Sequence, residues 1–298
     1  MKQKQSTKIN PRDPAIQVRS DDNPSIGRII ICRDWSGDIG AARDVLYSAA
    51  ESYPRGARTK FLITCGGFIT FNLPERFDAM GAEENKDPQS KTMKGLISVA
   101  AGAVDNLLTD DLVRALRQHT TYISFGVDSS KSQVSTSQTH ISQVHTELVV
   151  FMDLTTGEYH WTGKSYPTSG QEGSLIRVSD LGSHFLDSDF GQVAILGCHD
   201  LNIFNNRGLE RAGEWRRGIK SDFKELIREA QPEYVLQHPH VTDTYKIWHN
   251  AWCSLERFLP SVNAYAGAGR YFRNGQEREA LPETLEKTKH GETIDFIA

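Results

Sequence analysis

The chain has 298 residues, of which 38% are hydrophobic, enough for one large α/β domain with a substantial core. Its formal net charge of −4 and pI near 6.2 provide no global attraction to nucleic acid or to an anionic membrane. The four cysteines, Cys32, Cys65, Cys198 and Cys253, stand far apart without a CxxC pair, which argues against a zinc knuckle or a disulfide framework and points to a reducing cytoplasm.

Residues 1–27 are polar and lack the apolar run of a signal peptide or membrane span, so a flexible segment is expected before Arg28. RIIICRD then reads as a buried strand, and AARDVLYSAAESY has Val45, Leu46 and Ala49 at helical spacing. Pro54 and Gly56 end that helix before the strand TKFLIT, and this β-α-β start predicts a sheet covered by helices. Residues 78 to 91 are acidic and loop-like. Met93 to Gln118 reads as two helices with a break at Leu107 to Asp110, where Thr109 or Asp110 is the N-cap. YISFGVD has the length of a central strand, and the Ser-, Thr- and Gln-rich stretch 129–143 is expected as a long loop, either shaping access to a site or an idle tip. A domain over 28–273 is expected, with the charged tail 274–298 outside the core, free or clasping another subunit. The cluster Arg207, Arg211, Arg216, Arg217 and Lys220 reads either as a solvated helix face or as a patch for phosphate or an acidic partner.

The chemistry concentrates in VAILGCHDLNIFNNRG. An apolar strand ends at Gly197 and presents Cys198 on a rigid scaffold, the placement of a nucleophile, although a cysteine there can equally be core. Upstream, YHWTGKSYPTSGQE supplies Lys164 and Glu172, which read alone as an ordinary surface pair.

In this order the two segments resemble the nitrilase branch of the carbon-nitrogen hydrolase superfamily. Lys164, Pro167, Thr168 and Glu172 reproduce a Lys, Pro-Thr, Glu motif, with Glu172 displaced by about one position. Cys198, Asp200 and Arg207 reproduce the nucleophile segment, with His199 where the family usually has an aromatic residue. YISFGVD, HTELVVFMDLTTGEYHWTGK, PEYVLQHPH and WCSLERFLPSVNAYAG resemble its flanking elements, so the likeness spans roughly residues 27 to 272.

The resemblance implies a four-layer α-β-β-α sandwich and a homodimer or larger homo-oligomer acting on a small-molecule substrate without cofactor or metal. Cys198 would attack an amide, nitrile or carbamoyl carbon, Lys164 would stabilise the developing anion, and Glu172 would orient Lys164 or assist the water step. The family's general-base glutamate ends its second strand, yet in FLITCGGFIT that place falls on Gly66. Glu75, His145 and His199 are the candidate replacements, although alternation along a strand would turn His199 away from Cys198. Trp161, Tyr166 and His240 are the expected substrate contacts, and His238, Trp248 and Trp252 are expected near the pocket rim.

Without a base the site could instead be a catalytically altered nitrilase-like protein that binds a small molecule or a protein partner. A different class, a metal-dependent phosphoesterase, draws on GCHD, QHPH, Asp243 and CRDWSGD, but Ser36 and Gly66-Gly67 stand where its ligands belong. A pairing of His140 with His240 as a two-histidine phosphoesterase rests on still shorter motifs.

Overall fold

Alternation along the strands sorts the apolar side chains into three separate cores, and these define the layers. The computed structural model describes residues 16–78, 80–130, 144–205, 213–272 and 276–298. One sheet runs in the order β1 (Gln17–Ser20), β13 (Thr293–Ile297), β2 (Ile26–Ile30), β3 (Thr59–Ile63), β5 (Thr120–Ser130), β6 (Glu147–Asp153) and β7 (Tyr159–Gly163). A further strand, β4 (Ile69–Asn72), pairs with the far end of β5. The other sheet runs β12 (Lys289–His290), β11 (Ala264–Gly267), β10 (Tyr234–Gln237), β9 (Gly191–Leu196) and β8 (Phe185–Ser188).

The inner core lies between the sheets. Ile26, Phe61, Val149 and Phe151 come from the first and Val193, Ile195, Leu236 and Ala266 from the second. Alternate residues Ile29, Leu62, Leu148 and Val150 point the other way, against α1 (Ile39–Glu51), α4 (Ser90–Leu107) and α5 (Asp110–Arg117). Beyond the second sheet, α6 (Glu214–Ala230) and α7 (Tyr245–Phe258) contribute Ile219, Phe223, Ile227, Trp252 and Leu255 to the third core. The result is the expected α-β-β-α sandwich.

Local chemistry agrees with the helix limits. Asp38 caps α1 through the Ala41 N–H, and Thr109 caps α5 through the Leu112 N–H, so the break between α4 and α5 falls where expected. A short helix, α3 (Ala82–Lys86), occupies part of the stretch read as loop, just after another, α2 (Glu75–Asp78).

Two terminal expectations are corrected. Residues from Gln17 onward already form β1 and the start of β2. The charged C-terminal stretch supplies α8 (Leu281–Lys287), β12 and β13, and β13 lies between β1 and β2 with every residue buried. Arg28, fully buried on β2, explains how Asp295 can be buried there: Nε and Nη2 donate to its two carboxylate oxygens at 2.6 and 2.8 Å. Residues 131–143, including His140 and most of the Ser-rich stretch, lie outside the described residues, as do Arg207 and Arg211.

Candidate active site

The register of three neighbouring strands aligns a charged row. Asp128 near the end of β5 pairs across with Glu147 at the start of β6. Lys164, just past β7, continues the β6–β7 hairpin and donates its backbone N–H to the Glu147 carbonyl at 2.8 Å. Directly opposed residues of an antiparallel pair share a face, so Asp128, Glu147 and Lys164 all line the inter-sheet side. There Lys164 Nζ lies 3.0 Å from Glu147 Oε1 and 2.9 Å from Oε2, and 2.7 Å from Gln171 Oε1. The Gln171 amide also donates to Glu147 Oε1 at 2.9 Å, and its nitrogen lies 3.1 Å from His145 Nε2. Glu147 Oε2 is buried without a well-aligned hydrogen bond.

The second sheet brings the thiol. After β9 the chain turns at Gly197, where a Cβ would come within 2.8 Å of the Lys164 Cα, so glycine permits the two sheets to meet. Asp200 fastens the junction, accepting from the Ser165 and Tyr166 N–H groups with Oδ1 and from the Gly197 N–H with Oδ2. Cys198 Sγ accepts from the His240 backbone N–H at 3.3 Å. The His240 ring is held through Nε2 by Asp128 Oδ2 at 2.5 Å, and Nδ1 lies 3.7 Å from Glu147 Oε2. Arg270 joins the loops by donating to the carbonyls of His240 and Trp35.

These groups line a cavity of about 720 Å³ whose walls include Trp35, Trp248, Phe272 and Arg278. Burial alone would push the Cys198 thiol up, but positive charge at His240 and His199, with their hydrogen bonds, brings it down to about 5. Burial likewise opposes the charged forms of Lys164, Glu147 and His240. For Lys164 it is outweighed by Glu147 and Cys198, which raise the ammonium; for Glu147 by His240, His145 and Lys164, which hold the carboxyl well below its ordinary range. Asp128, Cys198 and Glu147 hold the His240 imidazolium well above its ordinary value. The pocket is therefore a compact set of alternating charges.

Of the residues expected from sequence, Cys198, Lys164, His145, His199 and His240 converge on this cavity. The chain leaves strand geometry at Leu196, so alternation does not turn His199 away, and its ring packs edge-on against Trp248. Glu172 does not reach the site. It follows the 3-10 turn Ser169–Gln171 and lies 3.5 Å from Arg216, while Gln171 takes the position beside Lys164. Glu75 is exposed on α2 and does not line the cavity. Trp161 has the opposite parity to Lys164 on β7 and packs on the helix side, while Tyr166 joins the outer core and accepts from Arg216. His238 is buried between the sheets, with Nδ1 2.8 Å from the Thr64 carbonyl and Nε2 2.9 Å from Ser124 Oγ, and Trp252 is core.

Asp128, Glu147 and Gln171 were absent from the sequence candidates. The signal for Glu147 is the hairpin register, which sets it opposite Lys164 once the turn after Leu154 is drawn.

A metal could draw on one atom each from Glu147, Cys198 and His240, which lie within 4.8 Å of one another. The Lys164 ammonium already occupies the cation position against Glu147. Three of the donors a phosphoesterase would draw on are otherwise engaged: Asp200 by three backbone N–H groups, His238 at both nitrogens, and Asp243 by Arg278 at 3.1 Å.

No family model matches the chain, and no curated relative matches it. Among solved structures, an amidase from Nesterenkonia sp. is similar at 13% identity with a TM-score of 0.45, covering 84% of this chain and 78% of that one. A mutant of Nesterenkonia AN1 amidase, described as from the nitrilase superfamily, gives 12% identity and a TM-score of 0.43 over 84% of this chain and 78% of that one. Another variant, showing covalent addition of the acetamide moiety of fluoroacetamide at the active site cysteine, gives 13% and 0.44 over 85% and 79%.

Proposed function

We propose that this chain is a thiol-dependent hydrolase of carbon-nitrogen bonds acting on a small amide, nitrile or carbamoyl compound. The observation that carries the reading is Cys198 at a strand end, depressed to about 5, in one cavity with the buried Lys164–Glu147 pair. Burying such a pair is costly and adds little to stability, which favours a role in chemistry. Cys198 Sγ attacks the electrophilic carbon, and Lys164 Nζ donates to the oxygen or nitrogen on which negative charge develops. Glu147 keeps that ammonium charged and aimed. The cavity volume lies in the range of small-molecule sites, about 300–1,000 Å³.

A reducing cytoplasm remains part of the proposal; the four cysteines are all free, and among the described residues no helix is long and apolar enough to cross a membrane. A homodimer or larger homo-oligomer remains part of the proposal.

The test is mass spectrometry of the full chain after incubation with panels of amides and nitriles, together with assay for released ammonia. A covalent adduct mapped to Cys198, and ammonia release abolished by Cys198→Ala, are expected. Adducts confined to Cys32, Cys65 or Cys253 would sink the assignment.

A further inference from the structure

We infer that His240, held by Asp128, is the proton-transfer residue of this site and occupies the space left by the missing side chain at Gly66. The inference rests on the hydrolase reading and deepens it. A Cβ built on Gly66 would lie 2.8 Å from the His238 carbonyl oxygen and 3.3 Å from both Cε1 and Nδ1 of the His240 ring. The next residue, Gly67, has a φ of +61°, and a Cβ there would come within 2.9 Å of Asp128 Oδ2. Consecutive glycines thus clear room for the two members of one hydrogen-bonded pair. The Gly66 N–H also donates to the Pro239 carbonyl at 3.1 Å, tying the end of β3 to the segment that carries the imidazole.

The orientation suits proton transfer. Nε2 is committed to Asp128, leaving Nδ1 toward the cavity, where a His240 ring nitrogen, Cys198 Sγ and a Glu147 oxygen lie within 4.8 Å of one another. The charged and titratable groups around the ring are Asp128 on β5, Glu147 on β6, Lys164 beyond β7, Cys198 and His199 beyond β9, Cys65 beyond β3, His145 and Arg270. Asp128, Glu147 and the thiolate favour a protonated ring at rest.

With an amide, the Sγ lone pair forms the C–S bond while the carbonyl π pair moves to oxygen, which accepts from Lys164. The His240 Nδ1–H proton passes to the amide nitrogen, the C–N bond breaks with its electrons on nitrogen, and ammonia leaves a thioester and neutral His240. Water then gives a proton to Nδ1 as its oxygen bonds to the thioester carbon. The C–S bond breaks with its electrons returning to sulfur, and the acid departs. Asp128 acts as a positioning residue, fixing the ring so that Nδ1 faces the thiol.

The test uses the full chain with iodoacetamide as probe, following Cys198 by peptide mapping across pH. The alkylation midpoint is expected near 5 in the wild type. His240→Ala should raise it above roughly 7, toward the ordinary thiol range, and Asp128→Asn should raise it by a smaller amount. Because Asp128→Asn preserves side-chain shape, it keeps the test open if His240→Ala fails to fold, as judged by circular dichroism. With any compound turned over by the wild type, His240→Ala should release ammonia about 10² to 10⁴ times more slowly, the usual worth of general acid-base assistance. Unchanged midpoints, or turnover at the wild-type rate in His240→Ala, would overturn the inference. A wild type that forms no adduct and releases no ammonia with any compound defeats the hydrolase reading, while the alkylation midpoint still reports on the pair.

Discussion

At the scale of the residue, charge in this pocket is useful only because neighbouring atoms define its position. Lys164 illustrates this: both Glu147 oxygens and Gln171 Oε1 surround a nearly inaccessible ammonium. Lys164→Met removes the donor to the developing anion and should lower kcat by about 10² to 10³; it and Glu147→Gln each break the buried pair and should each cost about 3 to 5 kcal/mol of stability. Steady-state kinetics and urea titration separate these outcomes; a Lys164→Met variant with normal kcat would remove Lys164 from the mechanism. Lys164 and Cys198 were legible in the sequence because each follows an apolar strand with a recognisable neighbouring motif. Glu172 was misassigned because a 3-10 turn exchanges neighbouring directions over a single residue and presents Gln171 instead. Asp128 and Glu147 were hidden for a different reason: each becomes meaningful only through strand pairing, which spacing along the chain does not display. His240 was seen as a contact, but its relation to Gly66 exists only in three dimensions.

At the scale of the element, the strands and helices with clear apolar periodicity were readable, including the α4–α5 break at Thr109. The C-terminal strand was not, because its neighbourhood is charged and its own run, TIDFI, carries an acidic residue. That acid is neutralised from 267 residues away by Arg28, a pairing no local pattern reveals. Arg28 also donates to Thr288 Oγ1 at 3.0 Å and to the Leu285 carbonyl at 3.1 Å, so one guanidinium joins β2, β13 and the end of α8. Asp295→Ala should therefore cost about 3 to 5 kcal/mol, the range for breaking a buried ion pair. Urea denaturation of the variant is the check; a loss under about 0.5 kcal/mol, typical of a surface substitution, would show that Arg28 does not fasten the terminal strand.

At the scale of the whole molecule, two sheets pressed face to face carry the pocket's charges at one end of their interface, so the pocket should register in the stability of the entire fold. The sign follows from protons bound in each state. Cys198 has a folded value of about 5 against an ordinary 9.0, so its contribution is fully present above 9.0 and is lost as pH falls through about 5. His240 runs the other way: its folded value lies well above 6.5, so its contribution is present below 6.5 and is lost as pH rises through the folded value. From 6.5 up to the lower of 9.0 and the folded His240 value, the two slopes oppose each other in the wild type. Cys198→Ser removes one of them and leaves Asp128 and Glu147 to hold the imidazolium. The stability difference, wild type minus Cys198→Ser, should grow as pH rises above about 5, flattening where loss of the thiolate has also released the His240 proton, and stop growing by 9.0. Urea midpoints at matched pH values measure it directly. A difference independent of pH across that window would mean that the thiol is not ionised in the folded protein, and the charge arrangement inferred around it would have to be abandoned.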